Sequence, residues 1–220
     1  TQWRGFPADL CAATGLPGLV YDRYGHGGSD PVDLPRPDDF LEIEAQWALP
    51  ALLSACGIAR PVLVGHSDGG TIALHFAAFF PGRPVACVTL AAHVMLEPAT
   101  EAGLAGLKAR WQDDPEFAMK LARHHGDRTE RLVRGWLDVW TRPSMRGWSM
   151  RHTLPSIRCP VLAMQGAEDL HGSPAQLEAI RNGVSGPVET QLLPGCGHVP
   201  HLEAPEATLS AICDFLPRRI

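Results

Sequence analysis

The stretch Pro61-Val62-Leu63-Val64-Gly65-His66-Ser67-Asp68-Gly69-Gly70 decides how this 220-residue chain reads. A short apolar run stops at Gly65. A helical pattern, Thr71-Ile72-Ala73-Leu74-His75-Phe76-Ala77-Ala78, begins after Gly69. Ser67 lies between them at the centre of G-x-S-x-G. That spacing marks a nucleophile elbow, a strand-to-helix turn so tight that the residues two before and two after the serine are expected to be small. The turn pushes the serine hydroxyl out of the sheet edge. The following helix aims its positive N-terminus at the place where negative charge would develop.

A serine hydroxyl is a weak nucleophile until a base takes its proton, so the elbow predicts a histidine and a carboxylate further along. The run Cys159-Pro160-Val161-Leu162-Ala163-Met164-Gln165-Gly166-Ala167-Glu168-Asp169 reads as a buried strand, a glycine turn and a carboxylate. The run Val188-Glu189-Thr190-Gln191-Leu192-Leu193-Pro194-Gly195-Cys196-Gly197-His198 reads as the next strand and a loop that delivers a histidine. Each candidate follows the C-terminal end of a strand, where open α/β sheets build their sites. Any one of these signals is weak alone; three in this order are specific.

These residues resemble the α/β-hydrolase superfamily over nearly the whole chain. Tyr21-Asp22-Arg23-Tyr24-Gly25-His26-Gly27-Gly28-Ser29-Asp30 resembles the loop after that family's fourth strand, and Gly197-His198-Val199-Pro200-His201-Leu202-Glu203-Ala204-Pro205-Glu206 resembles its histidine loop. Within the superfamily, Ser67-Asp68-Gly69-Gly70 and a tryptophan-rich middle are similar to the valacyclovir hydrolase (biphenyl hydrolase-like) branch. The resemblance implies a mostly parallel sheet with helices on both faces and a helical cap. It also implies three further strands and a His-Gly oxyanion loop ahead of the point matching Trp3. These amount to about forty residues and are expected to lie outside this sequence, together with a second oxyanion donor. Arg4-Gly5-Phe6-Pro7 is only superficially similar to that motif; Phe6 to Ala13 reads better as the first helix.

Composition bounds the rest. The length fits one domain carrying an insertion, and 45% hydrophobic residues suffice for a real core. A net charge of -5 and no basic run argue against nucleic acid. Lys108 and Lys120 are the only lysines among 19 basic residues, which reads as genome composition. The apolar runs are too short to span a bilayer, Thr1-Gln2-Trp3-Arg4 does not read as a signal peptide, and the six cysteines lack C-x-x-C spacing. A cytoplasmic protein with reduced core cysteines is expected. No metal or other cofactor is expected: His198 and His201 have no third ligand at suitable spacing.

Along the chain, Gly18-Leu19-Val20-Tyr21 reads as a short buried strand. Asp38-Asp39 should cap a helix through Phe40, Ile43, Trp47, Leu49, Leu52 and Leu53, kinked by Pro50 and ended by Gly57. Val85 to Leu90 reads as a strand. Residues 1–92 and 156–220 form the expected core, and residues 93–155, with four of the six tryptophans (Trp111, Trp136, Trp140 and Trp148), form the expected cap. Ser173-Pro174-Ala175-Gln176 fits a capping box, and the last helix should run from Pro205 to about Leu216.

The predicted roles are Ser67 as nucleophile, His198 as general base, Asp169 as its orienting acid and the Asp68 backbone N–H as oxyanion donor. Glu168 and Glu97 are the competing acids; His66 and His201 are weaker competing bases. The Asp68 side chain either caps the helix it opens or, as the valacyclovir hydrolase resemblance implies, binds the ammonium of an aminoacyl ester. Trp136 and Trp140 either pack cap helices on the core or line an apolar substrate pocket. The 22–29 loop reads as structural. The leading expectation is a carboxylic ester hydrolase for a small-molecule substrate, active at neutral to alkaline pH and inactivated when His198 is protonated. The alternatives are a C–C bond hydrolase of aromatic ring-cleavage products and a non-catalytic small-molecule binder. Dehalogenase and epoxide hydrolase relatives carry an aspartate at the elbow centre, where this chain has Ser67.

Overall fold

A computed structural model describes residues 2–216; residues 1 and 217–220, the outer ends of the two expected core segments, lie outside the described residues. Four parallel strands, β1 (Val62–His66), β2 (Ala86–Leu90), β3 (Val161–Gly166) and β4 (Val188–Leu193), lie side by side in chain order. The register aligns Val62 with Ala86, Cys87 with Val161, and Val161 with Val188.

Because side chains alternate along a strand, the sheet divides its residues between two cores. Leu63, Cys87, Val161 and Ala163 face helices α2 (Phe40–Ile43), α3 (Leu49–Ala55), α4 (Asp68–Phe79) and α8 (Ala175–Gly183). Ala86, Val88, Leu90, Leu162 and Met164 face α1 (Phe6–Thr14) and α10 (Pro205–Phe215). β2 and β3 are buried along their whole length, as strands covered on both faces must be. Between β2 and β3 the chain forms α5 (Pro98–Asp113), α6 (Pro115–His125) and α7 (Thr129–Trp140). A four-residue helix, α9 (Pro200–Glu203), follows the His198 loop.

Several local expectations fail, each for a physical reason. Residues 18–21 form no strand, and Leu19 and Val20 are 46% and 55% exposed. Among the described residues no neighbouring strand pairs with them, and extended backbone without a ladder is not a strand. The α2–α3 stretch absorbs Pro50 through a π-helical turn at Glu44–Ala48, which relieves the missing N–H and the ring clash one turn ahead of the proline. Asp39 makes no capping bond there, and Asp38 pairs with Arg142 at 2.6 Å. The capping box is only half made. Ser173 Oγ accepts from the Ala175 N–H, but the Ser173 N–H donates to Glu97, and Gln176 is drawn to Val94, Met95 and Glu97. All six cysteines are free, yet Cys56 is exposed and Cys11 and Cys213 are half-buried.

The arginines also have structural work. Arg128 donates to the carbonyls of Gly27 and Ser29, Arg131 to Val32, and Arg142 to Arg36. Residues 128–142 are thereby bonded to residues 27–36, and α7 is set near the elbow.

Candidate active site

The elbow places Ser67 in a conformation that few non-glycine residues adopt, φ 52° and ψ −124°. Gly65 makes the turn possible: a Cβ there would lie 2.2 Å from the Gly69 carbonyl oxygen. Gly69, expected to be equally constrained, has open space at its Cβ position; the second steric constraint falls on Gly70, whose Cβ would come within 2.7 Å of Ala92. The Ser67 N–H donates to the Leu90 carbonyl at 2.9 Å, anchoring the turn to β2.

Loops from β3 and β4 bring two more side chains to this point. His198 Nδ1 lies 2.9 Å from both carboxylate oxygens of Asp169, and its Nε2 lies 3.1 Å from Ser67 Oγ. A carboxylate can only accept, so Nδ1 carries the proton, and Nε2 is left to accept from the serine hydroxyl. The Asp169 side chain is 0% exposed. Its burial opposes ionisation, but the His198 hydrogen bond and charge and the His171 N–H outweigh this and lower its pKa. Gln165 Nε2 donates to Asp169 as well, at 2.9 Å.

The competing residues point elsewhere. Glu168 is exposed. Glu97 accepts from Ser173 and Gln176. His66 donates from Nε2 to the His198 carbonyl at 2.7 Å and accepts at Nδ1 from Gln2. Burial first, and then the charge of His198, pushes the His66 pKa down to about 3. His201 is buried and donates to the Gln2 carbonyl.

The Asp68 carboxylate makes no capping bond to the helix it opens. It accepts from Arg23 Nη2 at 3.2 Å and from Trp136 Nε1 at 3.0 Å, joining the 22–30 loop to α7 across the elbow. Trp140 is 4% exposed and packs edge-on against Phe40 and Trp148, so it is core rather than pocket wall. Sequence reasoning missed Arg23, Gln165, His93 and His171. His93 donates from Nε2 to the His171 carbonyl at 2.9 Å, and both rings lie close to that of His198. Of these, only Gln165 carried a local signal, as a polar residue inside an otherwise apolar strand.

The pattern of the alpha/beta hydrolase family matches residues 1–211. The chain belongs to that family. It is 27% identical to human serine hydrolase BPHL over 202 residues, covering 90% of this chain and 68% of that protein. Identity to the mouse protein of the same name is 28% over 155 residues, 69% of this chain and 53% of that one, so the chain spans about half the length of its mouse relative. The expected likeness to the biphenyl hydrolase-like branch is borne out. Among solved structures, a thermophilic esterase from Thermogutta terrifontis superposes with a TM-score of 0.74 at 23% identity, over 99% of this chain and 85% of that one. No helix among the described residues is long and apolar enough to cross a membrane.

Proposed function

We propose that this chain hydrolyses carboxylic esters through an acyl-enzyme on Ser67. The observation that carries the reading is the unbroken line Ser67 Oγ, His198, Asp169, at 3.1 and 2.9 Å, delivered from the ends of three different strands. His198 Nε2 takes the Ser67 proton as Oγ attacks the acyl carbon, then passes it to the leaving alcohol. A water deprotonated by the same nitrogen completes the cycle. Asp169 holds the tautomer and stabilises the imidazolium. The Asp68 backbone N–H, at the start of α4, binds the oxyanion. Residues 93–155 act as a cap over this site, and Trp136 ties it to the elbow through its bond to Asp68.

The acyl group is a plain one rather than an aminoacyl group. A buried carboxylate attracts an ammonium only while its charge is uncompensated, and the Arg23 guanidinium already neutralises Asp68.

The test is intact and peptide mass after treatment with a fluorophosphonate, on this chain and on Ser67→Ala, followed by rates on p-nitrophenyl acetate. Labelling confined to Ser67 with ester turnover is expected. A folded chain that labels nowhere would overturn the reading; labelling without ester turnover would leave the nucleophile but move the substrate class toward C–C bonds.

A further inference from the structure

Two contacts bind α5 to the loop that carries Asp169. At the helix start, Glu97 accepts from the Ser173 N–H at 2.8 Å, the Ser173 hydroxyl at 2.6 Å and Gln176 Nε2 at 2.7 Å. In the helix body, Gly103 lies directly on His171. A Cβ at Gly103 would come within 2.5 Å of His171 Nδ1, 3.1 Å of its Cε1 and 2.9 Å of the Leu170 carbonyl oxygen. Gly103 has no positive φ, so backbone conformation does not call for glycine here. A mid-helix glycine costs about 1 kcal/mol relative to alanine. The close approach to His171 accounts for it.

His171 connects this contact to the reacting groups. Its N–H donates to Asp169 Oδ1 at 2.8 Å, the oxygen that also accepts from His198. Its carbonyl is held by His93. Its ring centroid is 4.7 Å from that of His198, with the planes at 59°. The ring thus has Gly103 on one side and the His198 imidazole near it, and its backbone is fixed at both ends.

We infer that His171 is a positioning residue that transmits the placement of helix α5 to the His198 ring. The inference rests on the proposed role of His198. A small displacement of α5 moves the His171 ring, and the His198 ring is the neighbour that must respond. Misplacement of a reacting group by about 1 Å can cost on the order of 100-fold in rate, so a contact this close is able to tune turnover from the insertion.

A double-mutant cycle tests this on the full chain, using p-nitrophenyl acetate turnover and the fluorophosphonate labelling rate. Gly103→Ala should lower kcat at least about tenfold with little change in thermal midpoint, because the added helix propensity offsets the clash. His171→Ala removes the ring but leaves the Leu170 carbonyl in place. In that background the loss from Gly103→Ala should shrink at least about threefold, a departure from additivity expected only of coupled sites. A readout independent of turnover is the imidazole NMR spectrum: Gly103→Ala should shift the His198 ring signals in the parent background but not in His171→Ala. Additive losses with unmoved His198 signals would overturn the inference. A shifted spectrum in a chain that neither labels nor turns over ester would uphold the mechanical coupling and reject the proposed chemistry instead.

Discussion

Acid should unfold this chain through histidines that the fold buries uncharged. His75 on α4 is fully buried, neither ring nitrogen has a partner, and its ring stacks on Phe79 at 5.6 Å. Burial, with a smaller contribution from His152, pushes its pKa down from 6.5 to about 4. In the unfolded chain it titrates near 6.5. Between those values only the unfolded chain takes up the proton. Stability present above pH 6.5 is therefore lost as pH falls toward 4, and the loss levels off below that. From pH 7 to pH 5 it comes to about 2 kcal/mol for His75. His66, held down to about 3, adds ~2 kcal/mol over the same interval. His93, His171 and His201, lowered by burial first, act in the same direction. The variant His75→Leu isolates one term, since the others are common to parent and variant. Urea unfolding at both pH values should show a pH-dependent loss smaller by about 2 kcal/mol in the variant, a difference of roughly 4–8 °C in Tm. Equal losses in parent and variant would refute the claim that His75 is neutral in the fold.

Other outcomes follow from close contacts and charge. Gly166→Ala would set a Cβ 2.1 Å from the Gly197 carbonyl oxygen and 2.2 Å from that of Cys196. The His198 loop must then move, and kcat/KM should fall about 100-fold with the circular dichroism spectrum retained; unaltered turnover would mean that the loop is not held there. Asp169→Asn removes the carboxylate that selects the His198 tautomer and should lower kcat by on the order of 10³–10⁴; a loss below about tenfold would reassign the acid. Arg23→Met leaves Asp68 to Trp136 alone, and the preference for an alanyl over an acetyl ester of the same alcohol should rise about tenfold, the equivalent of ~1.4 kcal/mol. An unchanged preference would show that the carboxylate does not face the acyl group.

The elements legible in the sequence are those whose cause is local. β1, β2, β3 and β4 announce themselves as short runs bounded by turn residues. Ser67, Asp169 and His198 stand out because each follows such a run directly. What was not legible depends on partners far away in the chain. Residues 18–21 have the composition of a strand, but a strand is defined by its neighbour. Arg23 sits in a loop whose pattern signals only structure, while its guanidinium reaches Asp68, 45 positions later. The Ser173–Gln176 capping box is only half made because Glu97, some 76 positions earlier, offers the Ser173 N–H a carboxylate instead. Trp140 illustrates the opposite limit: composition alone cannot separate a tryptophan that lines a pocket from one that fills a core.

The histidines around His198 show why fixing this site and losing it to acid have one physical cause. His66 holds the His198 carbonyl and His93 holds the His171 carbonyl, each through a single Nε2–H donor. A lysine or arginine could donate the same bonds, but its permanent charge beside His198 would disfavour the imidazolium that the proposed reaction forms. A buried imidazole donates while staying neutral at pH 7. That neutrality is secured by burial, and burial is also what makes protonation of the folded state unfavourable. Replacing His66 by glutamine, whose non-titrating Nε2 amide nitrogen reaches as far as the imidazole Nε2 that now donates to the His198 carbonyl, should therefore reduce the acid-dependent loss of stability by ~2 kcal/mol while keeping that hydrogen bond. If that loss is unchanged and ester turnover collapses, the ring of His66, and not its hydrogen bond, is what the site requires.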